Sequence, residues 1–274
     1  MANPLLLHEN ILADTTGTLS TSVAAAAGFP LTNINDWRMG TTYRFKLSAT
    51  SGFFIDMDAG VGNTLEADTV AIGGHNMFTN TASISVLADA AIDPPTTARL
   101  AAVAPPDNLP FLRTFTSPGA VRYWRIGITA VSSEAPQFGI ITLGRRIDYD
   151  AGALADLDPY NRSSNVEPFI NNNGSPIGVN VRSKMKRFQM SYGGDGPGMR
   201  KTSFFTTVTP DIDTGWLPHA VDNAKPFWFA WNIGVDAGEV YLCRVDGPTV
   251  SMPFVGSTAR RGFQTTFIAH RETS

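Results

Sequence analysis

Glu66 to Phe78, EADTVAIGGHNMF, is the stretch whose reading decides the fold. Thr69, Val70, Ala71 and Ile72 are all small or β-branched, which suits a strand covered on both faces or set in a sandwich core. Gly73-Gly74 ends the run. His75 and Asn76 follow at the strand end, and Met77-Phe78 lead back to apolar packing before a turn at Thr79-Asn80. Two roles fit the polar tip. Its side chains either bond the backbone of a tight corner or stand on a rim where a ligand binds.

Working outward, Tyr43, Phe45 and Leu47 alternate with polar residues, and Phe53 or Phe54 to Met57 repeat the pattern after a Ser48–Gly52 turn. The spacing predicts two paired strands with Asp56 and Asp58 on one face. Upstream, Leu5–Leu7 is a short strand, Ala24–Ala27 is too short for a helix, and Trp37 is expected to plug one end of a β core. Downstream, Ala82–Val86, Val121–Ile128 and Phe138–Gly144 read as strands. Residues 88–110, with Pro94-Pro95 and Pro105-Pro106, read as an extended surface loop.

Composition bounds the class. The chain has 274 residues, 43% of them apolar, enough for a sizeable core. Gly and Pro number 25 and 18, an excess that implies many turns and hence many strands. Net charge is −3 with no basic run, which argues against a nucleic-acid partner. Three leucines near the N-terminus are too few for a signal peptide or membrane span, and no other segment is long and apolar enough. One cysteine, Cys243, rules out an intrachain disulfide and any multi-cysteine zinc site.

In the second half, residues 148–178 are polar and asparagine-rich and read as a linker or crossover. Strands return at Val179–Arg187, Phe188–Tyr192 and Lys201–Val208, around a Gly-rich hairpin loop at 193–198, and Asp213–Asn223 is a short-helix candidate. Phe227-Trp228-Phe229-Ala230-Trp231 is the most aromatic run. It serves either as a core strand or, if exposed, as a sticky subunit interface formed by Phe227, Trp228 and Trp231. Strands at Glu239–Val245, Met252–Val255 and Gly262–Ala269 complete the chain. The expectation is an all-β protein of two β-sandwich or jelly-roll-like domains with few short helices: 1–147, the linker 148–178, and 179–274.

Catalytic chemistry finds little purchase. The four histidines, 8, 75, 219 and 270, are not at metal-ligand spacing, and no Gly-x-Ser-x-Gly elbow is present. Cys243 lies mid-strand, where a thiol is inert. Asp56/Asp58, Asp156/Asp158 and Asp211/Asp213 are carboxylate pairs, yet such pairs are common in turns. The reading is of a non-enzyme with no cofactor and no metal.

Pro30-Leu31-Thr32-Asn33, Trp37-Arg38, the strand ending at Asp56, ADTVAIGGHNMF, TASISV, YWRIGIT and FGIITLG together resemble a discoidin-like jelly-roll domain of tailed-phage tail proteins. KRFQMSY, FFTTV and KPFWFAW resemble the β domain of distal tail and related tail-tip proteins, and the Pro-rich insertion at 88–110 departs from a compact discoidin domain. The resemblance implies a structural subunit of a phage tail tip or baseplate. Such a subunit would assemble in the host cytoplasm, sit in the virion, and join other tail proteins in a homo-oligomeric ring. Discoidin-like domains also bind sugars through loops at one end of the sandwich. That implies a carbohydrate-binding role in adsorption to host-surface glycans, with Trp37, Arg38, His75 and Asn76 as contact residues.

Overall fold

The computed structural model describes residues 4–46, 52–129, 134–148, 162–171, 173, 175–192, 199–200, 216, 218–231, 239–247, 254–255, 257–261 and 263–270. In order, the strands of the first 148 residues are β1 (Leu5–Leu7), β2 (Thr18–Thr21), β3 (Tyr43–Arg44), β4 (Gly52–Asp58), β5 (Thr69–Gly73), β6 (Ser83–Asp89), β7 (Ala98–Val103), β8 (Phe111–Thr114), β9 (Tyr123–Thr129), β10 (Gln137–Phe138), β11 (Ile140–Gly144) and β12 (Arg146–Asp148). Then come β13 (Arg162–Ile170), β14 (Pro176–Tyr192), β15 (Met199–Arg200), β16 (Phe227–Ala230), β17 (Val240–Val245), β18 (Phe254–Val255), β19 (Ser257–Arg261) and β20 (Phe263–His270). The fold is all-β, and the only helical pieces among the described residues are single turns such as Ile11–Ala13 and Leu31–Asn35.

The chain divides into two compact units, one of residues 5–147 with 230–240, the other of 148–229 with 241–273. In the first, an antiparallel five-stranded sheet of order β2-β4-β9-β6-β7 faces a three-stranded sheet of order β11-β5-β8. Alternation on the larger sheet points Phe53, Ile55 and Met57 of β4, Ile84, Val86 and Ala88 of β6, and Trp124, Ile126 and Ile128 of β9 into the core. They meet Val70 and Ile72 of β5, Phe111 of β8, and Ile141 and Leu143 of β11. The Trp124 indole N–H donates to the Leu65 carbonyl at 3.3 Å, so the ring is buried without an orphaned donor. Every residue of β5 is buried, as its unbroken run of small and β-branched side chains implies for a central strand covered on both faces.

On the outer face of the five-stranded sheet, Asp56 and Asp58 share a side and each accepts two hydrogen bonds from an arginine. Arg125 donates to Asp56 at 2.5 and 2.7 Å, and Arg122 to Asp58 at 2.6 and 2.8 Å. The Arg122 fork holds the Asp58 carboxyl below the usual carboxylate range.

Two expectations fail in this unit. Residues 43–58 do not form a hairpin. Instead β3 pairs with β10, while β4 pairs with β2 and β9. Each alternating run sees only its own apolar face, and that pattern is blind to which strand lies alongside. The surface loop expected at 88–110 contains β7, paired with β6 through two register shifts. As an edge strand it is largely exposed, so it lacks the apolar alternation by which a strand is read.

In the second unit the sheet runs β16-β17-β20-β14-β13, and a smaller one runs β15-β19-β18. Phe227 and Phe229 of β16 both pack edge-on against Phe267 of β20, with centroids 4.9 and 5.6 Å apart, and Trp216 stacks edge-on against Phe227. These side chains are fully buried. The segment expected as a linker supplies β13, paired with β14 over Arg162–Ile170, and residues 149–161, 172 and 174 of it lie outside the described part. Its polar composition concealed the strand. Of the helix expected at 213–223, Pro218–Asp222 form a turn; the Gly-rich loop 193–198, the strand expected at 201–208 and the pairs Asp156/Asp158 and Asp211/Asp213 lie outside the described residues.

Candidate functional site

Chain direction brings the β5–β6 segment (74–82), the β7–β8 segment (104–110), the β9–β10 segment (134–136) and the turn after Leu31–Asn35 to one end of the first unit. Glycines let these segments approach closely. The Met39 carbonyl lies where a side chain on Gly74 would be, 2.6 Å from a β-carbon placed there, and it covers Gly139 still more tightly. Gly74 also has φ +63°. The Trp37-Arg38 turn and the His75-Asn76 corner are thereby neighbours, although Arg38 and Asn76 are 38 positions apart in the sequence.

His75 is inside this corner. Its ring is 5% exposed, Nε2 lies 2.9 Å from the Leu109 carbonyl, and Nδ1 accepts from the Met77 N–H at 3.4 Å. Both contacts are met by the neutral tautomer with its proton on Nε2. Burial pushes the ring's pKa down to about 4, against weaker upward pulls from the Leu109 carbonyl and Asp107. Asn76 donates to the Ala135 carbonyl at 3.3 Å and accepts from the Gln137 N–H at 2.9 Å. His75 therefore ties the corner to segment 104–110, and Asn76 ties it to segment 134–137. As a ligand contact His75 is corrected: a buried imidazole with both nitrogens occupied serves the loop architecture. Asn76, partly buried, spends one donor and one acceptor of its amide on this tie.

The other two expected contacts stand nearer the solvent. Trp37 is half-buried and has φ +60°, a left-handed conformation that costs a non-glycine residue about 1 kcal/mol or more. Arg38 is exposed, and its N–H donates to Asp36 Oδ1 at 2.9 Å. Asp36 also accepts from Thr41 Oγ1 at 2.6 Å, which closes the turn.

Sequence reasoning missed Phe78 and Asn108. The Phe78 side chain is 57% exposed, and its N–H donates to Asn108 Oδ1 at 3.0 Å. Asn108 also takes the Thr79 N–H at 3.4 Å and donates to Thr79 Oγ1 at 2.7 Å. Leu109 beside it is 39% exposed. An aromatic ring is thus held out to water on a loop whose main chain is pinned by a side chain thirty residues away. Phe78 follows Met77 as if both entered the core, and only Met77 does. Among the described residues no cluster of three or more His, Cys, Asp or Glu side chains could hold a metal ion.

Of the three residues expected at a subunit interface, two lie in the core. Phe227 and Trp228 are fully buried within their own chain, and Trp231 is half-buried with its N–H donating to the Glu239 carbonyl at 3.2 Å. Large aromatic rings of this kind gain more from a shared core than from solvent exposure.

No family model matches the chain, and no curated protein does either. Among solved structures it is similar to chitosan-binding module 1 of a chitosanase/glucanase from Paenibacillus sp. IK-5, at 16% identity over 50% of this chain and 98% of that one, with a TM-score of 0.39. It is also similar to CpGH89CBM32-6 from Clostridium perfringens, at 11% identity over 49% and 98% with a TM-score of 0.38. A third is a GH29 fucosidase of Ruminococcus gnavus in complex with fucose, at 14% identity over 50% of this chain and 26% of that one, with a TM-score of 0.41. Likenesses of this size carry no argument about the ligand of this chain.

Proposed function

We propose that the sandwich of residues 5–147 binds carbohydrate at the loop end that carries Phe78. The observation that carries the reading is the exposed Phe78 ring on a rim fastened by His75, Asn76 and Asn108. A sugar offers an apolar C–H face that packs on an aromatic ring, and hydroxyls that bond to short polar or charged groups. Leu109 extends the apolar platform, and Arg38 and Trp37 on the turn beside the Gly74 corner offer polar and aromatic edges. A rim already rigid before binding loses little conformational entropy on engagement.

A glycan array followed by calorimetry on Phe78→Ala tests this. Phe78 is more than half exposed, so its removal changes stability by no more than about 0.5 kcal/mol. Affinity is expected to fall at least about tenfold. An array without signal, or unchanged affinity in the variant, refutes the proposal. A second reading, a structural subunit of a phage tail tip in the virion, draws on the sequence resemblance and on the apolar hairpin tip at Phe169-Ile170, which marks a surface suited to a protein neighbour.

A further inference from the structure

The turn that carries Phe78 is closed by main-chain bonds. Asn80 N–H donates to the Asn76 carbonyl at 3.1 Å, as in one turn of an α-helix. The exit follows the Schellman pattern: Ala82 N–H donates to the Met77 carbonyl at 2.8 Å, and Thr81 N–H to the Phe78 carbonyl at 3.0 Å. Met77 and Ala82, which bracket this motif, are both buried in the core. Such an exit needs one residue in the left-handed conformation, and here it is Thr81, with φ +49°. Glycine takes that position without steric cost, whereas a β-branched side chain there crowds its own main chain.

Turn geometry alone therefore favours glycine at position 81, and the threonine needs another reason. Among the described residues, the non-glycine residues at positive φ are Trp37, Thr81 and Ala224, and the first two both stand at the loop end that carries Phe78. Backbone strain of this kind persists where the surrounding structure imposes it, and it gathers at binding sites. The side chains of the turn divide by environment. Met77 and Asn80 are buried, and the Thr79 hydroxyl accepts from the Asn108 amide at 2.7 Å. Thr81 is exposed, and its hydroxyl bonds to no other described residue. The main-chain bond from Thr81 to Phe78 sets that hydroxyl's residue beside the exposed ring. The turn thus presents an apolar ring and, next to it, an unengaged hydroxyl able both to donate and to accept.

We infer that Thr81 is a sugar-contacting residue of the site proposed above, its hydroxyl bonding to a ring hydroxyl of the sugar whose C–H face packs on Phe78. The inference rests on the carbohydrate reading of that site. It is tested on the full chain by thermal unfolding, and by calorimetry with the oligosaccharide that gives the strongest glycan-array signal. Thr81→Ala removes the hydroxyl and is expected to raise the dissociation constant at least about fivefold; Thr81→Ser keeps it and should leave the constant within about twofold. Thr81→Gly relieves the backbone and should raise the melting midpoint by about 2–4 °C while weakening binding as Thr81→Ala does. A threonine with only a structural role would not move stability and affinity in opposite directions. Unchanged affinity in Thr81→Ala, beside a loss in Phe78→Ala, would overturn this inference and leave the sugar site standing. Equal losses in Thr81→Ser and Thr81→Ala, or a lower midpoint in Thr81→Gly, would also overturn it. An array without signal overturns both readings.

Discussion

Acidification should loosen the rim through His75, by an amount the structure sets. The ring's pKa falls from its ordinary 6.5 to about 4 in the folded chain. A histidine whose folded pKa is depressed favours unfolding once the unfolded chain takes up a proton that the folded chain refuses, so its penalty is absent at high pH and grows as pH falls through 6.5. The drop from 6.5 to about 4 corresponds to about 3 kcal/mol once pH is below 4, and to about 2 kcal/mol at pH 5. Protonation would also put an N–H on Nδ1 facing the Met77 N–H that Nδ1 now accepts. The assay is urea unfolding of the chain and of His75→Gln at pH 7 and pH 5, together with ring-proton NMR titration of the four histidines. Gln keeps an N–H for Leu109 without titrating. Burial also lowers the His219 pKa and so adds to the acid response, but it contributes equally to both proteins and cancels in the comparison. The variant should lose about 2 kcal/mol less than the parent over this interval. Equal losses, or a His75 resonance titrating near 6.5, would refute the argument.

Two further outcomes follow from the packing. Gly139→Ala places a methyl group against the Met39 carbonyl, and because that atom is backbone the Trp37-Arg38 turn must move; a loss of about 1–3 kcal/mol by thermal unfolding is expected, with weaker binding of any sugar found on the array. Phe227→Ala removes a fully buried ring that meets Trp216 and Phe267, and should cost about 3–5 kcal/mol of stability in denaturant titrations.

The sequence alone determined the all-β class and the standing of Thr69–Ile72 as an interior strand, because both are properties of local composition and period. The inertness expected of Cys243 agrees with its full burial, which raises the thiol pKa well above its ordinary value. What each strand lies beside was beyond it: Tyr43 finds Phe138 and Asp56 finds Arg125 across separations no periodic pattern encodes. Burial of individual side chains was likewise decided only by the tertiary structure. His75 and Phe78 are three residues apart, and polarity alone would send the histidine to water and the phenylalanine inside. Folding reverses them, because the Leu109 carbonyl and the Met77 N–H satisfy the imidazole within the corner while Asn108 holds the Phe78 backbone at the rim. The physical reason is that a buried polar group needs only partners, and partners come from segments far away in the chain.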